Sequence, residues 1–168
     1  DVDKIVETVK LLEPTFGGVN LEDIAAPNCF VIEERLKREA NIPVFHDDQH
    51  GTAIVTLAGL VNALKLSNKK MSEIKVVASG AGAAGIAIIK LLYNFGVRDL
   101  IMCDSKGAIF EDRPYGMNQV KAEVAKYTNR SRSEGSLQDV IKDADVFIGV
   151  SVADALTAEM VQSMAEDP

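Results

Sequence analysis

Three glycines between residues 80 and 85 have the spacing Gly-x-Gly-x-x-Gly, which is typical of a turn that binds phosphate groups. Gly80 permits the tight turn, Gly82 leaves the backbone open to a pyrophosphate, and Gly85 allows the following helix to pack closely. The N–H groups that begin this helix would face the phosphates, and the helix dipole favours their negative charge. The segment therefore predicts a dinucleotide contact through Gly80, Ala81, Gly82, Ala83, Ala84 and Gly85.

The segments around this turn favour the same prediction. An apolar strand over 74–79 precedes it, a helix to Leu92 follows it, and a second strand ends at Asp104, 19 residues after Gly85. An acid at that spacing is typical of a contact with the ribose hydroxyls of NAD, because its charge repels the 2′-phosphate of NADP. Ser105 and Lys106 come next and could bind a 2′-phosphate instead, so NAD is slightly favoured and NADP stays open. The alternative to a nucleotide site is a helix start rich in small residues that serves packing alone.

Two acidic pairs precede the glycine turn and could hold a metal ion. Glu22 and Asp23 follow two glycines, and Asp47 and Asp48 lie in a polar segment further along. In an α/β sheet, loops at the carboxyl ends of strands converge on the ligand crevice, where gathered carboxylates would repel one another unless a cation joined them. Oxygen ligands suit Mg²⁺ or Mn²⁺. Taken alone, such pairs are more often solvated surface.

The elements that would position these residues can be predicted from hydrophobic periodicity. Helices are predicted over 2–13 and 29–39, a short strand over 42–45, and a polar loop over 46–51. His46 and His50 could be metal ligands, but an oxygen-rich site does not need them, and they are interpreted as loop histidines with satisfied hydrogen bonds. Thr52 is predicted to cap a well-buried helix over 53–66.

After residue 74, strands and helices alternate along the chain. A helix is predicted over 117–127, a capping box at Ser136, a strand over 145–150, and a last helix capped by Thr157. This alternation predicts the fold class α/β, a Rossmann-like doubly wound parallel sheet with helices on both faces.

Composition narrows the class of protein. The chain has 168 residues, a net charge of −7 and a pI near 4.9, and no large cluster of basic residues, so binding to nucleic acid or to an anionic membrane is not expected. No apolar run approaches the roughly 18 residues of a membrane span, and the first residues do not read as a signal peptide. Cys29 and Cys103 are predicted to be buried thiols in a reducing, cytoplasmic setting.

Three ordered motifs resemble the malic enzymes, particularly their compact bacterial-type forms. Residues 11–23 read LLEPTFGGVNLED, residues 43–53 read PVFHDDQHGTA, and residues 76–86 read VVASGAGAAGI. The first two resemble the family's metal-binding segments and the third resembles its dinucleotide turn. The similarity extends over nearly the whole chain.

The resemblance implies oxidative decarboxylation of L-malate to pyruvate and CO₂, with reduction of NAD or NADP and a requirement for Mg²⁺ or Mn²⁺. The positions that match metal ligands are Glu22, Asp23 and Asp48. Asp47 matches the neighbouring acid that supports the general base in the family. Val150 and Ser151 match a loop that passes the cofactor. Such a metal would acidify the malate hydroxyl and stabilise the enolate left after CO₂ departs.

Three expectations accompany this interpretation. The tyrosine acid and the lysine base of the family have no match here, so the chain is expected to be a fragment that turns over little or no malate. It is expected to divide into a metal and substrate segment over 1–51 and a dinucleotide-binding domain over 52–168. The full-length enzyme is expected to be a homodimer or homotetramer.

Three other functions stay open. The chain could belong to another nicotinamide-dependent dehydrogenase, which would leave both acidic pairs without a role. It could be a non-catalytic nucleotide-binding module. It could also come from a relative of the malic enzymes that forms lactate on the same scaffold.

Overall fold

The computed structural model describes residues 1–168, which contain two separate β-sheets. The first sheet has two strands, β1 (Val19–Leu21) and β2 (Val44–His46). Helices α1 (Val2–Leu12) and α2 (Asn28–Glu39) pack against each other beside it. A small apolar core joins these elements through Val6, Leu21, Ile32 and Leu36.

The segment after β2 differs from the loop that the sequence predicts. Asp47–Gly51 forms a single π-helical turn, here called the π-turn, which continues directly into α3 (Thr52–Ser67). The prediction that Thr52 caps this helix is wrong, because its backbone N–H already donates to the carbonyls of Asp47 and Gln49. A Cβ at Gly51 would lie 2.1 Å from Asp47 Oδ1, so the absence of a side chain there lets the Asp47 carboxylate fold back over the turn. A helix that begins inside an earlier turn has no free N–H group at that point for a cap to satisfy.

The second sheet contains four strands in the order β5-β4-β3-β6. They are β3 (Lys75–Ser79), β4 (Asp99–Asp104), β5 (Gly107–Ala108) and β6 (Val146–Gly149). β3 is central and pairs in parallel with β4 on one side and β6 on the other. β5 adds an antiparallel edge within a stretch for which the sequence predicts only turns.

Helices cover both faces of this sheet, so the predicted doubly wound α/β architecture is confirmed. They are α4 (Ala83–Asn94), α5 (Gln119–Ala125), α6 (Leu137–Val140) and α7 (Ala158–Ser163). The larger apolar core lies on one face and takes residues from α3, α4 and α5. The smaller core lies on the other face, where α6 and α7 pack. Helix α4, which joins β3 to β4, and helix α6, which precedes β6, therefore lie on opposite faces of the sheet.

Helix α3 is less buried than its sequence predicts. It packs against α4 through one stripe, Ala53, Leu57, Leu60 and Leu64. Ile54 and Val55 face outward, with 54% and 67% of their surface exposed. An apolar residue on every side of a helix does not by itself require burial of every side.

Several local predictions are confirmed. Ser136 and Asp139 form the capping box of α6, and Thr157 Oγ1 accepts the N–H of Met160 at the start of α7. Cys29 and Cys103 are buried free thiols, and burial raises the pKa of Cys103 to about 12. No helix combines the length and the apolar composition that a membrane crossing needs.

Candidate functional site: a glycine turn and an acidic turn

The glycine turn lies between the end of β3 and the start of α4. Gly80 has a φ of +122° and donates its N–H to Cys103 O at 2.9 Å, which holds the turn against β4. Gly85 permits close packing of the helix on the turn, because a Cβ there would lie 1.9 Å from Gly80 O. A Cβ on Gly82 would meet no atom within 4 Å, so the space beside this residue is open.

The start of α4 leaves backbone donors free beside that space. The first backbone hydrogen bond of the helix runs from Ile86 N–H to Gly82 O, at 3.1 Å. The N–H groups of Ala83, Ala84 and Gly85 lie before this bond and have no partner within the helix. Ala81 is half-buried beside them. Free N–H groups next to an open glycine fit the phosphates of a dinucleotide.

A second loop borders the same turn. Val150 N–H donates to Ser79 O at 2.9 Å, and Ser151 Oγ lies 3.0 Å from Ser79 Oγ. A Cβ on Gly80 would lie only 2.6 Å from Val150 O. The structure therefore brings Val150 and Ser151, predicted from the resemblance alone, against the predicted phosphate turn.

Asp104 has a different environment from the one its position in the sequence predicts. Its side chain is only 7% exposed and forms ion pairs with Arg113 Nη2 at 2.5 Å and with Lys121 Nζ at 2.7 Å. Arg113 Nη1 and the N–H of Lys106 donate to Oδ1 at 3.0 and 2.8 Å. These four donors fill the roughly four acceptor positions of a carboxylate.

The charge of Asp104 is therefore balanced inside the protein. Burial by itself raises the pKa of this carboxyl, but the hydrogen bonds from Arg113 and Lys121 outweigh it and hold the pKa well below its ordinary value. Ser105 and Lys106 are exposed directly beside the pair. Sequence reasoning missed Arg113 and Lys121, whose signal was only two cations in a stretch rich in turns.

The two acidic pairs meet where β1 and β2 end. The two strands pair in register, with Leu21 opposite His46, so each acidic pair follows its strand at the same level. Asp23 has a φ of +56° and donates its N–H to Asp48 Oδ2 at 2.8 Å. Glu22 turns aside and accepts a hydrogen bond from Asn20 Nδ2 at 2.7 Å.

The donor set suits a hard cation, although the side chains are not closed around one. No group of three or more His, Cys, Asp or Glu side chains is arranged to hold a metal. Asp23 and Asp48 are nevertheless in contact, and Glu22 immediately precedes Asp23 in the chain. Carboxylate oxygens of this kind match the preference of Mg²⁺ and Mn²⁺. Asp47 is exposed at the start of the π-turn.

A buried polar network lies behind the acidic pairs, and sequence reasoning missed it. Glu33 Oε1 contacts Lys37 Nζ and His50 Nε2, each at 2.5 Å, and Glu33 Oε2 accepts from Gln49 Nε2 at 2.8 Å. Burial raises the pKa of Glu33, but hydrogen bonds from Lys37 and His50 outweigh it, so the net shift is downward. The prediction that His50 has a hydrogen-bond partner is therefore confirmed.

The corresponding interpretation of His46 is wrong. His46 ends β2, is fully buried, and its Nε2 has no hydrogen-bond partner. Gln49 Nε2 lies 2.5 Å from its other ring nitrogen, Nδ1. The strand continues one residue further than predicted and turns this side chain inward, so that His46 belongs to β2 and not to the predicted loop.

Comparison with protein families gives two matches in chain order. The profile described as the malic enzyme N-terminal domain matches residues 1–37. The profile described as the malic enzyme NAD binding domain matches residues 49–168, which include the glycine turn and the last three residues of the π-turn.

Individual relatives agree with these profiles. The chain is 83% identical to a bifunctional malic/malolactic enzyme of Bacillus subtilis and 56% identical to an NAD-dependent malic enzyme of Geobacillus stearothermophilus. All of the chain is covered, but only 41% and 35% of these two relatives, so it spans less than half their length.

A solved structure extends the agreement to three dimensions. The crystal structure of an NAD-dependent malic enzyme from Thermotoga maritima matches with a TM-score of 0.96 and 48% identity. That match covers all of this chain and 45% of the Thermotoga chain. Because the NAD binding domain profile alone accounts for well over half of its residues, this chain belongs to the malic enzyme family.

Proposed function

We propose that this chain supplies the cofactor-binding and metal-binding part of an enzyme that converts L-malate to pyruvate and CO₂ while reducing NAD or NADP. Family membership supports the reaction, and the glycine turn and acidic pairs supply the residue types that it needs. One observation carries the proposal: the π-turn, with Asp47 and Asp48, packs directly against α4, the helix that begins at the glycine turn. Substrate and nicotinamide must meet for hydride transfer, and this packing joins the two sites.

On the cofactor side, the pyrophosphate lies against Gly80, Ala81, Gly82, Ala83, Ala84 and Gly85. The free N–H groups at the start of α4 hold its charge, and open space at Gly82 admits it. Val150 and Ser151 border the bound dinucleotide from the β6 side.

The adenosine ribose lies near Asp104, Ser105 and Lys106. Because Arg113 and Lys121 neutralise Asp104, its carboxylate repels a 2′-phosphate less than an unpaired acid would. Lys106 adds an exposed positive charge. Both NAD and NADP are therefore proposed as cofactors of this chain.

On the substrate side, Glu22, Asp23 and Asp48 hold Mg²⁺ or Mn²⁺. When bound, such an ion supplies Lewis-acid chemistry to the malate hydroxyl and to the carbonyl that follows. The residues of the chain orient it: the register of β1 and β2 sets Asp23 beside Asp48, and the Asp23 N–H fixes one oxygen of Asp48. Asp47 is the acid that supports a general base.

We also propose a division of the chain into two parts, a compartment and an oligomeric state. Residues 1–51 form the metal and substrate segment and residues 52–168 the dinucleotide-binding domain, since each part has its own sheet and apolar core. Two unpaired, buried thiols are consistent with a reducing, cytoplasmic compartment. A homodimer or homotetramer of the full-length protein rests on the family resemblance.

A second activity is favoured by one relative. The Bacillus subtilis protein, at 83% identity, is named for both malic and malolactic activity. The corresponding reaction converts L-malate to lactate and CO₂ without net oxidation, because the hydride removed from malate returns to pyruvate. Assay of lactate and reduced cofactor in the same reaction of the full-length protein separates the two activities.

Calorimetric titration of NAD and NADP into this chain, with and without Mn²⁺ and malate, tests the proposal. We expect binding of at least one nucleotide, strengthened by Mn²⁺ and malate together. If neither Mn²⁺ nor malate changes the nucleotide affinity, the chain is only a nucleotide-binding module and the assignment of metal ligands is wrong. Metal-independent turnover of another hydroxy or amino acid would favour a different dehydrogenase.

A further inference from the structure

One buried donor near the proposed metal site has no role in the function described above. His46 is fully buried at the end of β2, and its Nε2 makes no hydrogen bond. Asp48 Oδ2 lies 3.6 Å from this nitrogen, which is beyond hydrogen-bond distance but in reach of a small side-chain movement. Buried polar groups are nearly always satisfied, so an isolated one points to a partner or a task.

The hydrogen-bond network assigns the proton on this ring. Gln49 Nε2 lies 2.8 Å from Glu33 Oε2 and 2.5 Å from His46 Nδ1. A flipped amide would set its oxygen against the Glu33 carboxylate, acceptor against acceptor, so the nitrogen must face both groups. The amide then donates one hydrogen to each. His46 Nδ1 is consequently an acceptor, and its proton resides on Nε2, the atom that faces Asp48.

We infer that His46 is a positioning residue for Asp48: the chain Glu33, Gln49, His46 directs an Nε2–H donor at Asp48 Oδ2 and fixes that carboxylate for metal binding. The inference rests on the proposed metal site. It identifies a residue outside the ligand set that determines how one ligand points.

The contacts of Asp48 leave one of its carboxylate oxygens free for a cation. Both protein donors, the N–H of Asp23 and His46 Nε2–H, approach Oδ2, and Oδ1 has no hydrogen bond. Donors on one oxygen leave the other free for a cation. Partners of this kind orient metal ligands in many proteins, and their loss typically weakens metal affinity about 10- to 100-fold.

The tautomer can be measured first and needs no metal. The chain has two histidines, so a long-range ¹H–¹⁵N spectrum of the imidazoles contains two rings, which the variant His50→Gln assigns. We expect His46 to carry its proton on Nε2. A proton on Nδ1 would overturn the inference, and this measurement decides even if variants at His46 fail to fold.

Metal affinity is the second measurement. Mn²⁺ binding is followed by calorimetry for His46→Leu, which removes the donor, and for His46→Gln, which keeps an N–H near the Nε2 position. We expect a loss of about 10- to 100-fold for the first and recovery of most of it in the second. Asp99→Asn is the control, because Asp99 is exposed, makes no ion pair and begins β4 of the other sheet, and this variant should bind Mn²⁺ as the parent does.

The outcomes separate the inference from the proposed function. If the parent chain and a folded His46→Leu variant bind Mn²⁺ equally, the positioning role is wrong and the metal site stands. If the parent chain binds no Mn²⁺, both fail. A role in packing alone would lower the unfolding temperature of both His46 variants and would show no recovery of Mn²⁺ affinity with glutamine.

Discussion

Replacement of Asp104 by asparagine should destabilise this protein far more than an ordinary surface substitution. The change keeps the size of the side chain and removes its charge, which leaves Arg113 with no counter-ion while 0% of its side chain is exposed. Removal of one partner from a buried ion pair costs about 3–5 kcal/mol. For a chain of this length, 1 kcal/mol shifts the unfolding temperature by about 2–4 °C, so we expect a fall of about 6–20 °C.

Thermal unfolding followed by circular dichroism measures this effect. Asp99→Asn is the matched control, because Asp99 begins the same strand, is exposed, and makes no ion pair. A substitution at such a position should change the free energy of unfolding by no more than about 0.5 kcal/mol. Equal unfolding temperatures for the two variants would refute the reasoning about the ion pair.

The pH dependence gives an independent check with a definite sign. The folded-state pKa of Asp104 is lowered, so its stabilisation is fully present above the unfolded pKa of about 3.9 and is lost as the pH falls toward the folded pKa. The difference between parent and Asp104→Asn should therefore be constant near neutral pH and should shrink below about pH 4. A difference that persists unchanged in acid would contradict this account.

Three further predictions concern the proposed binding sites. Gly85→Ala should lower the free energy of unfolding by at least about 1–3 kcal/mol, because the new Cβ would collide with Gly80 O. Gly82→Ala should have a free energy of unfolding within about 0.5 kcal/mol of the parent, yet it should bind NAD more weakly. Calorimetric unfolding and NAD titration distinguish the two variants. Asp48→Asn should weaken Mn²⁺ binding by more than about 100-fold and leave metal-free NAD binding intact, as titration of both would show. Lys106→Ser should lower NADP affinity about tenfold and spare NAD, so an unchanged ratio of dissociation constants would exclude Lys106 from the 2′-phosphate contact.

The glycine turn could be predicted from sequence because its determinants are local. Strand, turn and helix follow one another within residues 74–92, and each glycine acts on its immediate neighbours. The doubly wound sheet follows from the same alternation, continued along the chain. Local order is the kind of information that a single sequence carries well.

The surroundings of Asp104 could not be predicted in that way. Its partners come 9 and 17 residues later, from a stretch with weak periodicity, and only the folded loop brings them to the end of β4. The same holds for His46, whose inward orientation depends on β2 extending one residue further than hydrophobicity suggests. In both cases the missing information was a tertiary contact between polar groups.

The continuity of the π-turn with α3 bears on which changes of chain length this protein can accept. Exposed connections between elements usually tolerate insertions and deletions. Here the acidic residues are part of the helical path itself, so removal of one residue from Asp47–Gly51 would change the direction in which Asp47 and Asp48 point relative to α3. A polar segment that looks permissive in the sequence, but whose Gln49 is buried, should therefore be fixed in length, and single-residue deletions there should abolish Mn²⁺ binding in chains that still fold.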